Sequence, residues 1–138
     1  MQRYAGEEWL CLPELRIGTG YGKDAEQRLD LFVMHLHPSK ANVRYAFEIK
    51  TSRKDFLHEI RHREKRMWAM RYSNRFYFAM PKGLIGLDEL PLDSGLFEYD
   101  EEQKRLWLKW EAPQHDTFPP SWKLLASIAR HIRRTPNR

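Results

Sequence analysis

The chain has 138 residues, 41% hydrophobic and 31% charged, with six histidines, one cysteine and a formal net charge of +5. That length builds one domain (1–138) with a real core, no run approaches the roughly eighteen apolar residues of a membrane span, and the lone Cys11 excludes an internal disulfide. With no charged-then-apolar leader pattern ahead of the first charged segment, the expected location is the cytoplasm, and the basic balance favours a polyanionic partner over a membrane.

Trp9–Arg16 reads as a first strand after a helical turn around Tyr4 to Glu8, with Cys11 as a small buried hydrophobe on it. Gly18-Thr19-Gly20-Tyr21-Gly22 is a turn that fits neither a Walker A loop nor a dinucleotide fingerprint. The apolar run 29–36 is a second strand, interrupted by Asp30. After the loop His37-Pro38-Ser39-Lys40-Ala41-Asn42 comes a third strand over 43–50. There Val43, Tyr45, Phe47 and Ile49 alternate with Arg44, Ala46, Glu48 and Lys50. Thr51-Ser52-Arg53-Lys54-Asp55 opens a helix with Ser52 as N-cap, running to about Tyr72. Its buried stripe is Phe56, Leu57, Ile60, Met67 and Trp68. Arg75-Phe76-Tyr77-Phe78-Ala79-Met80 is a fourth strand stopped by Pro81, and an irregular connection runs on through Pro91 and Gly95. A hairpin over 96–99 and 105–110 turns at Asp100-Glu101-Glu102, and a loop over 113–120 leads to an amphipathic helix over 121–134. The order predicts a mixed α/β domain.

Asp30 and Glu48 carry the chemistry. A strand, a short loop and a second strand default to an antiparallel hairpin, and a register pairing 36 with 42 sets Asp30 opposite Glu48, their Cβ atoms about 5 Å apart. Two carboxylates that close repel unless a cation joins them. Magnesium suits the pair because it accepts one or two carboxylates and keeps its other positions for water and substrate oxygens. Lys50, two residues beyond Glu48, leaves the strand on the same side and can serve the attacking water or the phosphoryl charge. The plain structural reading is a strand-end salt bridge of Asp30 with Arg28 or Arg44, beside an exposed Glu-x-Lys decoration.

The blocks Arg28-Leu29-Asp30, Tyr45-Ala46-Phe47-Glu48-Ile49-Lys50-Thr51-Ser52-Arg53-Lys54-Asp55-Phe56 and Asn74-Arg75-Phe76-Tyr77-Phe78-Ala79-Met80-Pro81 resemble the PD-(D/E)xK nuclease superfamily. Within it the chain is most similar to the small bacterial and phage members related to MmcB-type DNA-repair proteins. The likeness runs over about 14–95, and Leu29 stands where the namesake proline would be. The resemblance implies a restriction-endonuclease-like core, a mixed sheet flanked by helices, here extended by a C-terminal hairpin and helix. It implies an Mg²⁺-dependent (or Mn²⁺-dependent) endonuclease cutting DNA phosphodiesters in DNA repair, recombination or phage and mobile-element biology. Asp30 and Glu48 then match the metal ligands, and Asp30, Glu48 and Lys50 the catalytic set. An extra acid from the first helix would be Glu7, Glu8 or Glu14.

His58-Glu59-Ile60-Arg61-His62 also fits the H-E-x-x-H pattern of zinc metalloproteases. Arg61 and Arg63 oppose a dication there, and the third ligand is open among Glu89, Asp93 and His115. The helix face carrying Lys54, His58, His62 and Lys65, with Arg66 beside it, is instead expected to be solvated or to touch DNA phosphates. The basic cluster Arg130, Arg133, Arg134 and Arg138 reads as a solvated tail. Trp107, Trp110 and Trp122 can stack on unpaired bases, though core packing is the commoner fate of tryptophan, and Trp107 and Trp110 fall on opposite strand faces. So small a domain leaves little room for a recognition element, which favours a homodimer or a partner protein. Three functions stand side by side: the nuclease, a nucleic-acid-binding module of the same fold without chemistry, and the zinc protease.

Overall fold

Alternating apolar residues bounded by Gly, Pro and Asn turns give six strands, which pair in chain order into one mixed sheet. A computed structural model describes residues 2–16 and 28–134. The turn expected at 18–22 and Arg138 lie outside those residues. The strands are β1 (Trp9–Arg16), β2 (Arg28–His35), β3 (Arg44–Ile49), β4 (Arg75–Pro81), β5 (Gly95–Asp100) and β6 (Arg105–Trp110). β1 to β3 are antiparallel, β3, β4 and β5 run parallel, and β6 returns antiparallel to β5. Among the described residues three α-helices complete this α/β fold: α1 (Arg53–Arg61), α2 (Arg63–Tyr72) and α3 (Trp122–Arg134). None of the described helices is long and apolar enough to cross a membrane.

All three helices pack on one sheet face. Phe56, Ala69, Tyr72 and Leu124 join Phe32, Ala46, Phe76, Phe78 and Leu96 in the larger core cluster. The residues that alternate with them, Val33, Phe47, Tyr77 and Phe97, point to the other face, where Tyr4 and Ala112 cover them. The sheet is thus helix-covered on one side and capped by chain segments on the other, not flanked by helices on both.

α1 begins where the sequence says it should. Ser52 is extended, and its hydroxyl accepts from the Asp55 N–H at 3.1 Å, which satisfies a helix-start donor. The single expected helix is broken at His62, whose φ of −107° and ψ of 67° lie outside the helical range. The break resets the helical phase of α2. Met67, expected in the buried stripe, is 57% exposed. Arg66, expected on the solvated face, is buried beside Asp93, its Nε 3.5 Å from Oδ1.

Sheet order explains three further departures. Cys11 lies on the edge strand β1 and is exposed, its thiol donating to the Tyr4 carbonyl at 3.0 Å. Trp107 and Trp110 lie on the other edge, β6, and both keep large exposed areas, as does Trp122 at the start of α3. None of the three fills the core.

Candidate functional site

β2 and β3 pair with Leu31 opposite Phe47, Phe32 opposite Ala46 and Val33 opposite Tyr45. That is the register expected from the loop; continued one step past its last paired residues it would set Asp30 opposite Glu48, and the two carboxyls lie close enough to repel. Asp30 does not bond to Arg28 or Arg44. Its Oδ2 accepts from the Ile49 N–H at 2.7 Å, and Arg44 spends its guanidinium on the Tyr72 and Asn42 carbonyls and the Thr117 hydroxyl.

Glu48 follows Ala46 onto the helix-covered face, beside Phe78 of β4. It is only 2% exposed. Burial, with repulsion from Asp30 and Glu59, pushes its carboxyl from 4.5 up to about 8, against the opposing pull of Lys65 and Lys50. Desolvation dominates because a carboxylate loses far more on leaving water than a neutral carboxyl does.

Two helical residues complete the cluster. Glu59 of α1 lies one turn beyond Phe56 and faces inward, 6% exposed. Lys65 of α2, expected on the DNA-facing surface, turns inward because of the break at His62. Its Nζ is 3.3 Å from Glu48 Oε1, 3.4 Å from Glu48 Oε2 and 3.4 Å from Glu59 Oε1. Burial alone would lower the Lys65 pKa, but Glu48 and Glu59 outweigh it and raise it. Lys50 closes the chain of charges, its Nζ 3.5 Å from Glu59 Oε2. Despite these ion pairs, Glu48 Oε1 and Glu59 Oε1 are buried without a hydrogen bond.

The donor set suits a hard dication. Asp30 and Glu48 supply carboxylate oxygens, one of them unsatisfied, and magnesium needs only one or two such ligands. Among the described residues no group of three or more His, Cys, Asp or Glu side chains is arranged to hold a metal by itself. Glu7, Glu8 and Glu14 are all exposed. The acid that joins the cluster is Glu59, which sequence reasoning assigned to the zinc pattern. The signal was its spacing of three from Phe56, which puts both on the inward face of α1.

That assignment also bears on the histidines. His58 and His62 sit with ring centroids 4.4 Å apart on the exposed side of the helix, and His62 Nδ1 is 2.8 Å from the His58 carbonyl oxygen. The acid of the H-E-x-x-H pattern faces the opposite way and is engaged with Lys50 and Lys65. Lys54, His58 and His62 are solvent-exposed as expected. Arg130, Arg133 and Arg134 are exposed on α3, which packs on the far edge strand β1 through a Ser127 hydroxyl donating to the Arg16 carbonyl at 2.6 Å.

The fold is similar to that of the SPO1766 protein of unknown function from Silicibacter pomeroyi, with a TM-score of 0.64 and 21% identity. The match covers 92% of this chain and 76% of that one. No family model and no curated protein matches the chain.

Proposed function

We propose that the chain is a Mg²⁺-dependent deoxyribonuclease with a restriction-endonuclease-like core, hydrolysing DNA phosphodiester bonds at the cluster of Asp30, Glu48 and Lys50. The observation that carries this reading is a buried Glu48 with an unsatisfied oxygen, set by strand register beside Asp30 and two residues before Lys50. A carboxyl in that setting is unfavourable as mere structure, and perturbed acids in such clusters are candidates for chemistry.

Asp30 and Glu48 would hold the metal, which supplies an activated water and offsets charge on the phosphoryl oxygens when bound. The rest belongs to the chain. Lys50, as an ammonium two residues past Glu48, stabilises the extra negative charge that gathers on phosphorus-bound oxygen as water adds and the ester P–O bond breaks. Glu59, 3.5 Å from Lys50 Nζ, positions that ammonium. The amino end of α1 starts three residues after Lys50, at Arg53, and would present its dipole and free N–H groups to a phosphate. Lys54, His58 and His62 extend the same surface as sequence-blind phosphate contacts.

A second reading keeps the fold and the binding but not the chemistry. It is favoured by Lys65, whose ammonium already sits between Glu48 and Glu59 and neutralises them without a metal. The two separate on one experiment. Purified protein is incubated with plasmid, single-stranded and branched DNA, with and without Mg²⁺ or Mn²⁺. The nuclease reading expects metal-dependent cleavage that Glu48→Gln and Lys50→Ala abolish while DNA binding persists. Intact substrates throughout, with binding retained, give the binding module.

A further inference from the structure

The second face of the sheet is covered only in part. Tyr4 packs over Tyr45 and Phe47 of β3, and Trp9 over Tyr45. At the carboxyl ends of β3, β4 and β5 no described helix or strand covers this face, and among the described residues a cleft of about 660 Å³ opens there, with Arg3 at its edge. Open sheets with parallel strands bind their ligands at this end, and the volume is within the range of small-ligand sites, about 300–1,000 Å³.

The cleft has a particular chemistry. Its floor is apolar: Ile49, Ala79, Tyr99 and Leu106. Ile49 is 54% exposed although it ends a central strand, where an apolar side chain would ordinarily be covered. Among the described residues the rim carries Arg3, Lys50, Lys104 and Arg105 against one acid, Glu101. A duplex offers such a site only its phosphates, because its base faces are stacked away. An unpaired strand offers both a charged backbone for the rim and flat apolar bases for the floor. Charge complementarity and the exposed floor therefore favour one occupant.

Lys50 connects this cleft to the acid cluster. It lines the cleft and its Nζ reaches Glu59 on the helix-covered side. We infer that the cleft binds an unpaired polynucleotide segment, bases against Ile49 and Tyr99 and phosphates along Arg3, Lys104 and Arg105. The consequence that the enzyme acts on single-stranded or frayed DNA rests on the nuclease reading. The binding itself does not.

Binding is measured by fluorescence anisotropy in EDTA, using a labelled oligothymidylate of about 10 nucleotides and a blunt duplex of equal length. The wild type is expected to bind the single strand at least tenfold more tightly than the duplex. Ile49→Ser and Tyr99→Ala should each weaken single-strand binding severalfold and leave duplex binding unchanged, whereas Tyr99→Phe retains it. The pair Lys104→Glu and Arg105→Glu should flatten the salt dependence by about 0.7 for each phosphate no longer neutralised. Thermal transitions confirm that each variant folds. Equal or tighter duplex binding, floor variants that bind the single strand as the wild type does, or displacement by polyglutamate as readily as by oligonucleotide would overturn the inference. Its failure is distinct from that of the nuclease reading. If floor variants cut and bind like the wild type while Glu48→Gln is inert, the cleft assignment falls alone. If the cleft binds oligonucleotide yet no substrate is cut with metal, the nuclease falls alone.

Discussion

Replacing Glu48 by glutamine should change how the stability of the metal-free protein depends on pH. In the unfolded chain the Glu48 carboxyl ionises near 4.5, whereas burial in the fold raises it to about 8. Below 4.5 it is protonated in both states and contributes no pH dependence. Between the two values the unfolded chain gives up its proton and the fold retains it, so each pH unit costs the folded state about 1.4 kcal/mol. The loss reaches about 3 kcal/mol by pH 7 and levels off near 5 kcal/mol above pH 8. Stability conferred at acid pH is thus lost as pH rises toward 8. Glutamine keeps the shape and does not titrate; its unsatisfied amide adds a constant cost of about 1–2 kcal/mol. Urea unfolding in a chelator, from pH 4.5 to pH 8, should show the variant gaining on the wild type by about 3 kcal/mol up to pH 7, or about 10 °C in Tm. Parallel curves, or a wild type that gains on the variant toward neutral pH, would refute the reasoning, because Glu48 would then be ionised and fully compensated in the fold.

Two adjacent cations in α2 should respond oppositely to the same substitution. Lys65→Met removes the ammonium between Glu48 and Glu59 and should cost about 2 kcal/mol near pH 8, less than a fully buried pair because the side chain keeps some solvent contact. Urea midpoints should show that cost shrinking toward pH 4.5, where the Glu48 carboxyl is protonated and no longer needs a counter-charge. Arg66→Met deletes a guanidinium that is buried, only 3.5 Å from Asp93, and has Nε and Nη1 without hydrogen bonds. Because the Asp93 carboxylate keeps solvent contact and accepts from the Ser94 hydroxyl, it tolerates the loss of its partner. Thermal unfolding should find Arg66→Met neutral or slightly more stable, while Asp93→Asn, which strands the buried guanidinium, should lower Tm.

The hairpin was legible because its evidence is local. Period-two alternation fixes which residues share a face, and the loop fixes register, so the sequence alone sets Asp30 opposite Glu48. The Ser52 cap was equally local. What the sequence hid is long-range or depends on one dihedral. Strand order does not follow from alternation, so nothing marked β1 and β6 as edges where Cys11, Trp107 and Trp110 stay exposed. The break at His62 lies inside a charged run that extends a helix as readily as it interrupts one. Polar residues there read as solvent-facing on either side of the break. The inward turn of Lys65 and Arg66 becomes visible only once their carboxylate partners are known.

That same break defines the site's character. Without it Lys65 would continue the outer face beside His58 and His62, and Glu48 and Glu59 would face each other with only Lys50 to compensate them. With it, one ammonium reaches both acids, yet at 3.3–3.4 Å, longer than the roughly 2.7–2.9 Å of tight charge-assisted bonds. Lys65 therefore pairs with the acids from a distance that leaves Glu48 Oε1 and Glu59 Oε1 unsatisfied. Ion pairs of that length give up little when a second cation competes for the same oxygens, and an ammonium on a flexible four-carbon stem can withdraw toward solvent as it is displaced. The arrangement holds the acids together in the fold while keeping their oxygens open to exchange, which is the property the proposed metal-dependent reading needs.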